Sequence, residues 1–288
     1  MKRILFKKYL VILSMVSVCA LTSCTEKMDD YPLENSETRC VIVGKITTET
    51  IAHKVMITRS APYFNDKPLE PISGAIVTIS DGTDTFSLIE STTELGSYFT
   101  NPDVFGIPGR TYTLNISNVN LLGDGVMESY TAMSELKPVT PLDSIDTRYN
   151  NRFHFWETIA WAKEPQETED YYMFRAYIDN VLNSDSLLNY GITEDKFFNG
   201  SDIIGKLVYM FPEKDTIKLG KTIVTIDICG ITKDYFLFLT EAQTMARPQN
   251  PMFSGPPANI RTNISNGAVG YFSAFSVASC SRKVKSQE

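Results

Sequence analysis

Gly109-Arg110-Thr111-Tyr112-Thr113-Leu114-Asn115-Ile116 alternates cleanly, with Tyr112, Leu114 and Ile116 on one side and Thr111, Thr113 and Asn115 on the other. Successive side chains of an extended strand point to opposite faces, so this spacing predicts a strand with one buried face. Similar short runs lie upstream: Val41, Val43 and the flanking Ile42 and Ile46; Lys54-Val55-Met56-Ile57-Thr58-Arg59; Ala75-Ile76-Val77-Thr78-Ile79-Ser80; Phe86-Ser87-Leu88-Ile89; and Gly96-Ser97-Tyr98-Phe99. Asp81-Gly82 after the third run is a hairpin signal. Several short strands in so little chain predict a β-sandwich over residues 39–137.

The order of cues adds detail. Ser73-Gly74-Ala75 enters a strand that ends in the Asp-Gly hairpin, and a Gly-x-Tyr strand and a Gly-x-x-Tyr-x-Leu strand follow. This order resembles the Ig-like, transthyretin-like (carboxypeptidase-regulatory-like) sandwich. There the glycines would serve turns, and Tyr98 and Tyr112 would pack the core.

Lys137-Pro138-Val139-Thr140-Pro141-Leu142-Asp143-Ser144-Ile145 reads as an extended connector, because proline restricts its own backbone and that of the residue before it. A linker at 138–146 would then lead to a second antiparallel β domain at 147–280, with a tail at 281–288. Its strands are expected at 152–158, 171–178, 203–211 and 222–228. In the second of these, Tyr172, Phe174, Ala176 and Ile178 share one face, and the other face is expected to be only partly wet. One helix is expected at 232–247, with Thr232 as N-cap, Asp234 in the first turn and Pro248 beyond its end. A single helical turn is expected at 193–200.

The C-terminal stretch begins Asn250-Pro251-Met252-Phe253-Ser254-Gly255-Pro256-Pro257-Ala258-Asn259-Ile260. It is proline-rich and loop-like. It continues through an Asn-Gly turn at Asn266-Gly267 into a strand on Val269, Tyr271, Ser273 and Phe275. Residues 250–264 are expected to lie as an ordered loop against the second domain, because Met252, Phe253, Ile260 and Ile264 need burial. Asn259 and Asn263 would then bond backbone groups left unpaired by the prolines.

The N-terminus reads as a targeting segment at 1–23. Lys2, Arg3, Lys7 and Lys8 form a basic region, and an apolar run from Tyr9 to Leu21 is too short to span a bilayer as a helix. Leu21-Thr22-Ser23-Cys24 follows, the lipobox pattern in which Cys24 becomes the lipidated first residue. More than one acyl chain is needed for stable anchoring, and lipid-modified cysteines of this kind carry two or three. Residues 24–38 then form an acidic tether. Removing 23 of the 288 residues leaves 265, with 23 basic against 34 acidic side chains, a net charge of −11. Such a surface repels nucleic acid and anionic headgroups.

Reactive chemistry is sparse in this sequence. His53 and His154 have no Cys, Asp or Glu at metal-ligand spacing, so no metal site is expected. No nucleophile elbow, phosphate loop or dinucleotide turn occurs, so no catalytic residue or cofactor is assigned and the chain is read as non-enzymatic. Cys40, Cys229 and Cys280 remain after the signal and anchor, and three buried thiols is the reading taken over a disulfide. Trp156, Trp161, Tyr171 and Tyr177 would make a stacking platform for a carbohydrate if they shared a face. The plainer reading is that they fill a core.

Several stretches together resemble a Bacteroidetes outer-membrane lipoprotein family, domain of unknown function 4249. They are Cys24, Val41-Ile42-Val43-Gly44-Lys45-Ile46-Thr47, Val55-Met56-Ile57-Thr58-Arg59-Ser60-Ala61-Pro62-Tyr63-Phe64, Ser73-Gly74-Ala75-Ile76-Val77, Gly109 to Leu114, Pro141-Leu142-Asp143-Ser144-Ile145 and the C-terminal stretch through Tyr271. The resemblance implies an outer-membrane lipoprotein, often encoded beside a TonB-dependent transporter and so expected to assist it in nutrient uptake. The acidic residues just after Cys24 resemble a signal for transfer to the face toward the cell exterior. The competing expectation is an adhesive or structural surface module with no transporter. Pro251, Asn259, Ile260, Asn263, Asn266, Gly267 and Gly270 match the family's most recognisable positions, and a structural role is expected for them.

Overall fold

The computed structural model describes residues 37–61, 68–163, 168–184, 186–196, 200–212, 217–247 and 259–286. The first seven strands are β1 (Cys40–Thr47), β2 (Lys54–Arg59), β3 (Ile76–Ser80), β4 (Thr85–Glu90), β5 (Ser97–Phe99), β6 (Thr111–Val119) and β7 (Glu128–Glu135). They pair in the order β1-β2-β5-β4-β3-β6-β7. β4 is the corner: its first residues pair with β3, and Ile89 and Glu90 pair with β5. The sheet therefore turns over on itself and encloses one core, which includes Ile42, Ile46, Ile57, Ile79, Tyr112 and Leu114. This is a sandwich, built by the alternation that Tyr112, Leu114 and Ile116 announce.

Side chains fasten its loops. Tyr98 Oη donates to Ile72 O (3.0 Å) and accepts from Ala75 N (3.1 Å), while Ile107 N donates to Tyr112 Oη (2.8 Å). The Glu90 carboxylate accepts Gly74 N and Gly96 N, each at 2.9 Å. Burial alone would raise the Glu90 pKa, but these amide donors outweigh it and hold the carboxyl below its ordinary range. In β1 the buried face is Cys40, Ile42 and Ile46, whereas Val43 looks outward and is 48% exposed. β7 is absent from the sequence reading because its buried positions are Tyr130, Ala132 and Ser134, a weak apolar signal.

The second half contains β8 (Ser144–Asn150), β9 (Phe155–Ala162), β10 (Tyr171–Ile178), β11 (Val181–Leu182), a 3-10 turn (Leu187–Asn189), β12 (Gly191–Glu194), β13 (Ile203–Pro212), β14 (Ile223–Ile231), the helix α1 (Lys233–Ala246) and β15 (Val269–Lys283). β10, β14 and β15 form an antiparallel sheet, and β8, β9 and β13 form a separate three-stranded one. Tyr172, Phe174 and Ala176 of β10 share a core with Ile145, Ala160 and Phe211 of the smaller sheet. Tyr171 and Met173, on the opposite face, pack with Leu239 of α1, Cys229 and Phe275. The second face of β10 is therefore covered by the helix at Tyr171 and Met173 and stays half-buried at Tyr177.

α1 begins as expected: Thr232 is its N-cap and Tyr235 N donates to Thr232 Oγ1 (3.3 Å). Two local expectations are corrected. Thr193 and Glu194 end strand β12, paired with Tyr172 and Tyr171, instead of starting a helical turn; residues 197–199 lie outside the described set. β9 starts at Phe155 because Asn150 Oδ1 accepts Arg152 N (3.1 Å) and Phe153 N (3.2 Å), curling 150–154 into a turn with His154 at φ 56°.

β15 joins the halves. Its first part pairs in parallel with β1, from Val41↔Val269 to Thr47↔Phe275, and its later part pairs with β14. Ile264, Ala268, Phe272 and Ala274 belong to the core of the sandwich. Among the described residues three hydrophobic cores exist where two domains were expected, Ile264, Ala268, Phe272 and Ala274 sit in that of the sandwich, and Thr38–Glu288 form one compact unit.

Candidate functional site

Cys24, Pro251, Met252 and Phe253 lie outside the described residues. From residue 259 the C-terminal stretch lies against the sandwich as well as against α1 of the second half, where the expectation had named the second half alone. Asn259 is exposed and Ile260 half-buried. Asn263 grips the start of β15: Phe272 N donates to its Oδ1 (3.0 Å), and its Nδ2 donates to Phe272 O (2.7 Å) and Met133 O (2.9 Å). Thr131 N donates to Ser265 Oγ (2.8 Å), and Ser265 N donates to Thr131 O (2.9 Å). Both contacts are to β7, and Ile264 is buried beneath them in the sandwich core. The other side of the stretch is tied to α1 through Arg261, which donates to Glu241 from Nη2 (2.7 Å) and Nε (2.9 Å). Asn266 (φ 56°) and Gly267 (φ 72°) make the expected turn, closed by Ala268 N donating to Ser265 O (3.3 Å). Gly270 has φ 100°, and a Cβ there would lie 2.1 Å from Ile42 O, so the β1–β15 pairing requires glycine.

A buried ionic cluster crosses the same seam. Arg175 of β10, 7% exposed, donates to Asp227 Oδ2 of β14 from Nη2 (2.7 Å) and Nε (3.1 Å). Its Nη2 also reaches Glu49 Oε2 (3.1 Å), beyond the end of β1, and Ser279 Oγ of β15 donates to Asp227 Oδ1 (2.5 Å). Burial alone would lower the Arg175 pKa. The surrounding Cys229, Glu49 and Asp227 outweigh it, and the guanidinium is held above its ordinary range. Lys45 of β1 is exposed at the surface, yet desolvation by the surrounding protein, then the Arg175 charge, hold its amine below the usual lysine range.

The groups with reactive chemistry are engaged or buried. Cys40, Cys229 and Cys280 are all free thiols. Burial pushes Cys40 and Cys229 up to about 12. Cys280 is only partly buried and is also raised by burial. His53 is buried with its Nε2 3.1 Å from Val104 O, and desolvation lowers its pKa. Among the described residues no group of three His, Cys, Asp or Glu side chains is placed to hold a metal ion. The four aromatic residues do not share a platform. Trp156 packs into the core between the two sheets of the second half, Trp161 points to the other side of β9, and Tyr171 is covered by Phe236 at 5.1 Å between ring centroids.

A cavity of about 600 Å³ opens between β11, the 3-10 turn, β12, β13 and the end of α1. One wall is held by Gln243 of α1, whose Nε2 donates to Leu187 O (3.0 Å) and Tyr190 O (2.9 Å). The facing wall is fixed by Tyr209 Oη donating to Asn183 Oδ1 (3.2 Å).

A family model described as Domain of unknown function (DUF4249) matches residues 28–281. The chain belongs to this family. No curated protein matches the chain in sequence. Within the DUF4249 match, the stretches quoted from the sequence have structural work to do. Arg59 clamps the β6–β7 connection to β2 by donating to Leu121 O (2.6 Å) and Asn120 O (3.0 Å). Asn263, Asn266, Gly267 and Gly270 build the seam. The Arg175 cluster and the cavity walls went unmarked in the sequence. Their only local signals are an arginine inside an apolar strand and apolar residues at Leu182, Leu188, Leu207 and Met210.

Proposed function

We propose that this DUF4249 protein is a lipoprotein, anchored through Cys24 at the outer face of the outer membrane, that works by binding. In this reading it is a non-enzymatic accessory of a TonB-dependent transporter, capturing ligand or covering the barrel. The observation that carries the anchor is Leu21-Thr22-Ser23-Cys24 behind a basic, then apolar, leader. Binding rather than catalysis is supported by side chains committed elsewhere: Asp227 to Arg175 and Ser279, His53 to Val104, and Cys40 and Cys229 to burial. A cavity of about 600 Å³ falls in the size range of small-molecule sites.

Cys24→Ala is expected to abolish acyl labelling and release the protein from membranes; a variant still found in the outer-membrane fraction would remove the anchor. Copurification from native outer membranes in mild detergent is expected to recover a TonB-dependent transporter. Recovery of only fimbrial or matrix proteins would replace this reading with the adhesive one.

A further inference from the structure

Large apolar side chains left in water are ordinary when they are scattered, and informative when they converge. Ile76, Ile89 and Met133 are of the first kind: all are exposed on the sandwich, and none lines the cavity. Leu182, Leu188, Leu207 and Met210 are of the second kind. They come from β11, the 3-10 turn and β13, they are 37–55% exposed, and all four line the one cavity. Tyr190 and Tyr209 add ring surface, and Asn183, Asn189 and Gln243 add amides among the apolar groups.

The wall is built before any ligand arrives, through the Gln243 and Tyr209 hydrogen bonds given above. Its charge is one-sided. Arg247, at the end of α1, is the single charged residue among the described lining residues, in a chain with a net charge of −7. A concavity that sets four apolar side chains among amides held within the protein, with one cation at its edge, selects a particular kind of molecule.

We propose that this cavity binds a small molecule with an apolar, ring-sized or acyl body and one anionic group, a carboxylate being the simplest. The apolar body lies against Leu182, Leu188, Leu207 and Met210, and the anion meets Arg247. This rests on the reading of the chain as a binding protein and supplies its ligand class and its site.

The test uses the full chain in non-ionic detergent, with micelles alone as the blank. The probes are 1-naphthoate and its neutral counterpart 1-naphthalenemethanol, each titrated by saturation-transfer NMR. Saturable binding of naphthoate is expected. Arg247→Glu should weaken naphthoate by about tenfold or more while changing the neutral probe little, the scale of one lost charge-assisted contact. Leu188→Asp, with Met210→Asp as a second wall variant, should weaken both probes. These side chains are exposed, so the variants should keep the native melting temperature. No saturable naphthoate binding above the micelle blank would overturn the proposal, as would an Arg247→Glu variant that binds naphthoate normally or loses both probes equally. No transporter takes part in this assay, so its failure is distinguishable from a failed copurification.

Discussion

The seam where β15 joins the two halves and the cavity beside α1 use their side chains in opposite ways. At the seam every prominent polar group has a protein partner: Arg175 with Asp227 and Glu49, Asn263 with Phe272 and Met133, Ser265 with Thr131. At the cavity, apolar side chains face an open volume and, among the described lining residues, the one cation is Arg247. A buried polar group must be paired within the protein, whereas a binding wall keeps surface in reserve for something else. Substitutions at the seam should therefore register in stability, and those at the cavity in binding.

The largest effect is expected at Arg175. Arg175→Met leaves Asp227, 3% exposed, with the hydroxyls of Ser279 and Tyr177 as side-chain partners and no paired cation. Breaking a buried pair from one side costs about 3–5 kcal/mol. Removing the second charge as well, in Arg175→Met with Asp227→Leu, should recover much of that loss. Urea unfolding of the full chain measures both variants. A single-variant loss below about 1 kcal/mol, the scale of an exposed pair, would break the contrast drawn here.

Next comes Gly270. Alanine there must hold φ 100° and place its Cβ 2.1 Å from Ile42 O, so β1 and β15 must separate locally. A loss of about 3 kcal/mol is expected, the upper end of single-residue backbone strain. Gly267→Ala is the internal reference. It too has positive φ, at 72°, but nothing lies within 4 Å of its Cβ. It should cost only the left-handed penalty of about 1–2 kcal/mol. Equal losses at the two sites would show that the parallel pairing tolerates the clash.

What could be read from the sequence, and what could not, follows the same division. Period-two spacing marks β2, β6 and β10 to within a residue or two, because each has one uniformly apolar face. The helix is legible from Thr232 and the residues after it, since a cap is a local device. The spacing cannot tell which strand will be the neighbour. The parallel pairing of Val41 with Val269 spans most of the chain, and the Arg175–Asp227 pair joins residues 52 apart. The side of β1 that faces inward was likewise ambiguous, because Val41 and Val43 are as apolar as Ile42 and Ile46. The cavity is the hardest case. Five elements supply its lining, and β13, which contributes the most residues, has register shifts that break period-two spacing.

The smallest effects concern one loop in which the same side chain does two things. Asn263→Ala removes three hydrogen bonds and leaves the amide of fully buried Phe272 without its Oδ1 acceptor. That should cost about 1–3 kcal/mol, the range for an orphaned buried donor. Asn259, four residues earlier, was expected from sequence to act in the same way. It is exposed instead, and among the described residues Asn263 takes that role. Asn259→Ala should stay within about 0.5 kcal/mol of the native chain, as exposed substitutions usually do. Paired melts of the two alanine variants test the boundary of the seam. If Asn259→Ala falls as far as Asn263→Ala, the docked segment begins upstream of residue 259 and the seam is longer than drawn. If neither moves, the Asn263 bonds contribute nothing net, and the hold of the loop on the sandwich rests on the burial of Ile264 and the Ser265–Thr131 hydrogen bonds.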